Sequence, residues 1–475
     1  MWYSKKQIKS GFIWSTLDSV GNQIITLVIM LVLANILGPA SFGMVAIVSI
    51  FILIANVFVD SGFSASLIRK IDRSDKDYAT AFYFSLLMSI ICYICLYFSA
   101  PAISMYYDEL ELIVLIRVVG ITIVLKTFTI IPRTKLTVEL DFKKQAKSNL
   151  ISLITSGGVA LTLAISGFGI WSLIVYQVLL VSLNVVILRI ISPWSVNERF
   201  CKESFNNLFG FSFKLFLSEL INAIYNNIYG LIIGKQFSSA QLGIFNQAKS
   251  LSSVPAQTFT GVIQRVTYPL LSELQNDEAK LARAYLNTLK LSMLILLPIM
   301  LGICIVSEPL IEILLGADWS DSALLISILT LGFALYPVHA VNLNLLQVKG
   351  RSDLFLRVEI IKKMIVTAML LITVPQGVVS MCIGMTISSL LSVFVNVYYT
   401  NKISSVTPIM QLKALGFIVL NSFLSAAFGY TVGQGFATEW QVITVSLLAS
   451  LFLYLMMLIL FQKETLTSCK KMLND

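Results

Sequence analysis

GFIWSTLDSVGNQIITLVIMLVLANILGPASFG, the stretch from Gly11 to Gly43, decides the class of this chain. About 20 apolar residues rising 1.5 Å each cross a hydrocarbon core of roughly 30 Å, and Phe12–Leu37 is long and apolar enough to do so. Within it Ser15, Asp18, Ser19, Asn22, Gln23 and Thr26 recur at i, i+3, i+4, i+7, i+8 and i+11, one face of a helix. Polar side chains at membrane depth are costly and face a cavity or another helix. A stripe of six exceeds what interhelical hydrogen bonding needs, so this helix is expected to wall a water-filled cleft.

A second stretch, GFSFKLFLSELINAIYNNIYGLIIGKQFSSAQLG from Gly210 to Gly243, repeats the plan. Both open G-F-x-aromatic, and both close A-x-[FL]-G, at Ala40–Gly43 and Ala240–Gly243. The offset of about 200 residues spans an even number of apolar segments, so the two copies share one orientation. That pattern predicts a parallel repeat of six plus six helices around a central cleft, followed by two more helices.

Composition agrees. Of 475 residues, 57% are hydrophobic and 12% charged, about half the charge of a soluble domain. Too few charges remain to cover a water-facing surface, so an all-α integral membrane protein is expected. The net charge of +9 follows from basic residues at the ends of apolar stretches, not from a nucleic-acid surface. Among six cysteines, Cys92 and Cys95 form a C-x-x-C inside an apolar helix with no second pair, a poor zinc or redox signal. The first apolar run is too long for a signal peptide and is expected to remain as the first span.

About fourteen transmembrane helices are read from hydropathy. Six lie in an N-lobe, residues 1–200, near Phe12–Leu37, Phe42–Ile68, Ala79–Ala100, Leu112–Ile131, Ser148–Ser166 and Ile170–Ile191. Six lie in a C-lobe, residues 201–408, near Gly210–Ile233, Phe245–Leu271, Tyr285–Ser307, Ser322–Val348, Val358–Val374 and Gly377–Thr400. Residues 409–475 hold Leu412–Val432, Trp440–Phe461 and a tail. Lys and Arg cluster at the N-terminus, in every even-numbered connection and in the tail, including Arg133 and Lys135 in the fourth. Odd-numbered connections are nearly bare, Lys235 excepted. Positive charge stays inside, so both termini are expected in the cytoplasm.

Other spans carry polar stripes too. Glu219, Asn222, Asn226 and Tyr229 mark the seventh. Gln247, Ser250, Ser253, Gln257, Gly261, Gln264 and Tyr268 mark the eighth, where Pro255 is expected to kink the helix. The second adds Ser49, Asn56 and Asp60. The expected cavity residues are Asn22, Lys126, Asn222, Asn226, Lys249, Gln257, Gln264 and Arg265, the last as a bidentate phosphate ligand. Asp18, Asp60 and Glu219 are expected to carry a coupling proton or sodium ion. His339, mid-membrane in the tenth span, is expected to be a hydrogen-bonded core residue. No metal-spaced cluster, Gly-rich phosphate loop or nucleophile–base pairing appears, and the loops are short, so neither an enzyme nor a cofactor is expected.

Several segments then point to a family. VDSGFSASLIRK (Val59–Lys70), DFKKQAKSNLISLITSGGVALTLAISGFGIWSL (Asp141–Leu173), IIGKQFSSAQLGIFNQAKSLSSVPAQ (Ile232–Gln257), RVTYPLLSELQND (Arg265–Asp277), SEPLIEILLGADW (Ser307–Trp319) and LLQVKGRSDLFLR (Leu345–Arg357) resemble the polysaccharide-exporter branch of the multidrug/oligosaccharidyl-lipid/polysaccharide (MOP, MATE-like) superfamily. These are the O-antigen, colanic-acid and teichuronic-acid type exporters, or Wzx-type flippases. The resemblance implies two six-helix bundles forming a V-shaped cleft, in a bacterial inner membrane. It implies alternating access that moves undecaprenyl-diphosphate-linked oligosaccharide units for lipopolysaccharide, exopolysaccharide or capsule biosynthesis. Its partners would be that lipid, membrane lipids, polymerase machinery and a proton or sodium ion. The rival reading is a cation-coupled drug extruder of the same superfamily, which Asp18 would suit.

Overall fold

The structure, a computed structural model, describes residues 5–461. It is helical, and two compact units divide it: Met1–Gly243 and Ile244–Asp475.

The first unit begins with α1 (Lys5–Asp60), which is two helices joined at Gly38, where the backbone leaves the helical region at φ 72°. Side chains other than glycine rarely adopt that angle, and Pro39 next to it has no N–H to give the ladder, so the Gly-Pro pair separates the first two spans. Ser61 and Gly62, both at positive φ, end α1 and start the short α2 (Phe63–Arg69). Gly62 sits against the backbone of Ser212, where a β-carbon would clash. Then come α3 (Asp75–Tyr107), α4 (Leu112–Val138), α5 (Phe142–Ile165), α6 (Trp171–Ile191) and α7 (Lys202–Gln236). Helix α8 (Ser239–Glu273) starts in this unit and continues through Pro255 and Pro269 in the next.

Local signals explain several starts. Ser74 and Asp77 form a reciprocal capping box at α3, and Asp141 caps α5. Asp77 is fully buried and takes two 2.8 Å hydrogen bonds from Lys70 Nζ. Burial pushes its carboxyl up, but the Lys70 ammonium and the Ser74 donors outweigh this and hold it below the usual carboxylate range. Inside the unit, Leu33, Leu153, Ala160 and Leu173 bind α1, α5 and α6 together. Phe63, Leu67, Phe82, Ile131 and Leu208 join α2, α3, α4 and α7.

The second unit continues with α9 (Glu278–Ile305), α10 (Ser307–Leu315), α11 (Asp321–Phe333), α12 (Tyr336–Val348), α13 (Ser352–Thr373), α14 (Val378–Ile403), α15 (Pro408–Gly433) and α16 (Glu439–Phe461). The tenth predicted span is thus two helices, α11 and α12. Gly429 and Gly433 let α15 press on Ser446 and Ser450 of α16, the small-residue packing usual in membranes. Asn421 donates to the Tyr454 carbonyl at 3.1 Å, and the Tyr454 hydroxyl donates to the Leu294 carbonyl at 2.7 Å, tying α16 to α9.

Among the described residues, eleven helical segments are long and apolar enough to span a membrane, the first of them covering two predicted spans. The eighth and eleventh predicted spans fall on α8 and α13, which are not in that set. Their polar stripe (α8) and their Arg357, Glu359, Lys362 and Lys363 (α13) explain it. Leu371, Phe394, Leu448 and Phe452 are exposed, as lipid-facing side chains must be in a chain with so few surface charges.

Candidate functional site

A cavity of about 620 Å³ opens within the first unit, walled by α1, α2, α4, α5 and α6. Pockets that hold small ligands run to roughly 300–1,000 Å³. Two cations reach it from one helix. Lys126 and Arg133 are seven residues apart on α4, two turns and therefore one face.

Arg133 is braced by carboxamides. Its Nη2 donates to Asn149 Oδ1 at 2.7 Å and to Asn184 Oδ1 at 2.9 Å. Asn184 Nδ2 also donates to Asn149 Oδ1, at 3.0 Å. Asn149 turns its other end to the carboxylate of Asp18, donating to both oxygens at 3.1 Å. Asn22, one turn along α1, donates to Asp18 as well. Asp18 and Arg133 thus communicate through Asn149 without pairing directly, leaving the guanidinium less committed than in a bidentate ion pair. Gln145 fixes the end of α4 by donating to the Arg133 carbonyl at 3.2 Å and to Thr137 Oγ1 at 2.9 Å.

Lys126 makes no hydrogen bond or ion pair among the described residues. It shares the cavity with Asp60, whose carboxylate accepts from the Ser64 hydroxyl. Three buried atoms of lining residues have no hydrogen-bond partner: Asn22 Oδ1, Asn56 Oδ1 and Arg133 Nε. A buried polar atom left so costs about 1–3 kcal/mol, which a complementary ligand returns.

Of the expected site residues, the cavity gathers Asn22, Asp60 and Lys126, with Asp18 directly behind Asn22 and Asn149. Glu219, Asn222 and Asn226 are exposed on α7 and do not line it. Lys249, Gln257, Gln264 and Arg265 stand on α8 in the second unit, where Gln264 donates to Asn344 Oδ1 at 3.3 Å. His339 is bonded at both ring nitrogens, to Ser389 at 3.0 Å and Asn396 at 2.8 Å, as a core histidine would be. Sequence reasoning placed Arg133 in a cytoplasmic connection and passed over Asn149 and Asn184. The seven-residue spacing from Lys126 was the available signal for Arg133.

A bundle of membrane-length helices around a polar, doubly cationic cavity is a transporter-like arrangement. Residues 32–324 match the family described as "Polysaccharide biosynthesis protein", and the chain belongs to that family. Teichuronic acid biosynthesis protein TuaB of Bacillus subtilis strain 168 is 25% identical over 354 residues, covering 74% of this chain and 73% of the relative. Lipopolysaccharide biosynthesis protein WzxC of Escherichia coli K12 is 22% identical over 395 residues, 82% of this chain and 78% of the relative. Among solved structures, lipid II flippase MurJ in an inward closed conformation superposes with a TM-score of 0.78 at 16% identity, over 96% of this chain and 100% of that one. That superposition shows the fold.

Proposed function

We propose that this protein is a flippase that carries undecaprenyl-diphosphate-linked oligosaccharide repeat units across the bacterial cytoplasmic membrane by alternating access. Its lobes are residues 1–200 and 201–408, residues 409–475 hold two further helices and a tail, and both termini, which lie outside the described residues, face the cytoplasm. The observation that carries the reading is the pair Lys126 and Arg133 facing one polar cavity inside a membrane-spanning bundle. A diphosphate cannot cross bare hydrocarbon while ionised, because desolvating it costs many kcal/mol. Two lipid-shielded cations replace part of its hydration. The drug-extruder reading fits less well, since the cavity's two cations outnumber its one lining carboxylate, Asp60, and leave it unfavourable for a cationic drug.

Asp18, Asp60 and Glu219 are the proposed carriers of a coupling proton or sodium ion. Arg265, Lys249, Gln257, Gln264, Asn222 and Asn226 are proposed to meet the head group elsewhere on its path, and a polysaccharide polymerase to take the product. The test is lipid analysis of a strain deleted for this gene. Accumulation of a diphosphate-linked oligosaccharide on the cytoplasmic leaflet, cleared by restoring the gene, is expected. No accumulation, with new sensitivity to cationic drugs, would transfer the assignment to drug extrusion.

A further inference from the structure

The cavity of the first unit has two chemically different walls. On α4 stand the donors, Lys126 Nζ and Arg133 Nε, the latter buried and without a partner. On the two halves of α1 stand the acceptors: Asn22 Oδ1 and Asn56 Oδ1, both buried without partners, and the carboxylate of Asp60. The orientation of Asn22 is fixed, because its amide nitrogen donates to Asp18 and a flip would set two acceptors against each other. Asn56 and Asp60 are four residues apart, one turn of the same face.

A glycosyl diphosphate has matching halves. An ionised diphosphate only accepts hydrogen bonds, so it can satisfy the α4 wall and not the α1 wall. Only the sugar next to it brings donors, its hydroxyl or amide hydrogens, that can satisfy Asn22, Asn56 and Asp60. Resting on the flippase reading, we infer that this cavity reads the sugar nearest the diphosphate: α4 holds the phosphates, and Asn22, Asn56 and Asp60 select the sugar. The ligand class is thus a polyprenyl diphosphate whose first sugar offers at least two donors on the side facing α1. A site built around hydrogen-bonded hydroxyls discriminates strongly, because an analogue lacking one leaves a buried acceptor unpaired.

The test uses the full chain in phospholipid nanodiscs with three radiolabelled probes: farnesyl diphosphate, and the same lipid carrying one glucose or one galactose. At least one sugar should tighten binding by about 10-fold, the worth of one well-made buried hydrogen bond. Asn56→Leu, whose side chain holds no other element in place, should remove that increment and change farnesyl diphosphate binding by less than about twofold. Lys126→Gln should weaken all three probes together. Farnesyl diphosphate binding with no sugar increment, or an Asn56 variant that weakens all probes alike, would overturn the inference and leave the flippase reading standing. A wild-type protein that binds none of the three would overturn both.

Discussion

Gly43 lies against the backbone of Ser239 so closely that a β-carbon on it would overlap the Ser239 carbonyl. The reciprocal contact exists too: Gly243 lies in the same way against the backbone of Pro39. Each contact maps onto the other by adding or subtracting 200, the offset between the two similar stretches of sequence. The A-x-[FL]-G endings at Ala40–Gly43 and Ala240–Gly243 therefore have a packing reason: glycine permits the helix crossing.

Gly43→Ala and Gly243→Ala should each lower the folded yield of the protein and its export activity at least several-fold, because the obstacle is backbone and cannot rotate away. Gly158→Ala is the control. It lies in α5 with open space around it, and alanine there should stabilise the helix by about 0.5–1 kcal/mol. Thermal melting of the three variants in detergent would check the contrast. Equal tolerance at all three sites would mean the crossing does not constrain the fold.

Arg133→Lys should impair export nearly as much as Arg133→Ala. A lysine ammonium is a point charge and lacks the planar fork that lets one guanidinium hold Asn149 and Asn184 while keeping another N–H free for ligand. Loss of about 10- to 100-fold in head-group binding is expected, against a smaller loss for Arg265→Ala in the second unit. Transport in proteoliposomes compares them, and an Arg133→Lys variant with wild-type rates would remove the fork from the explanation.

Asp77→Asn should destabilise the α2–α3 junction by about 1–3 kcal/mol at neutral pH, since a neutral amide loses the charge-assisted bonds from Lys70. The native carboxyl titrates below its unfolded value, so its contribution is fully present above about pH 4 and is lost as pH falls through the lower native value. The melting difference between wild type and variant should accordingly shrink below about pH 4. A difference independent of pH would point to packing instead of charge.

The membrane class, the stripe containing Asp18 and Asn22, and the second-span residues Asn56 and Asp60 were legible because each is a pattern inside one segment. Arg133 was misread because hydropathy marks where apolarity stops, and helix α4 runs seven residues past Ile131 to Val138. Asn149 and Asn184 are isolated polar residues on different helices. No periodicity joins them, and only tertiary pairing brings their carboxamides to one guanidinium. The short α2 was hidden for a similar reason: Ser61 and Gly62 break an apolar run that hydropathy counts as continuous.

The indirect link between Asp18 and Arg133 gives the sharpest test of how the cavity works. Exchanging the two groups, Asp18→Asn with Asn149→Asp, keeps composition and net charge but moves the carboxylate to the atom that now accepts from Arg133 at 2.7 Å. A direct ion pair then replaces a neutral brace. Breaking a buried pair costs about 3–5 kcal/mol, so the new pair should hold the guanidinium away from phosphate. The exchange should therefore raise the melting temperature while lowering head-group affinity at least 10-fold, a separation that loss of fold cannot mimic. If stability and affinity instead fell together, Asp18 and Asn149 would be supports of the bundle. If both stayed at wild-type values, the brace would not govern how freely Arg133 reaches its ligand.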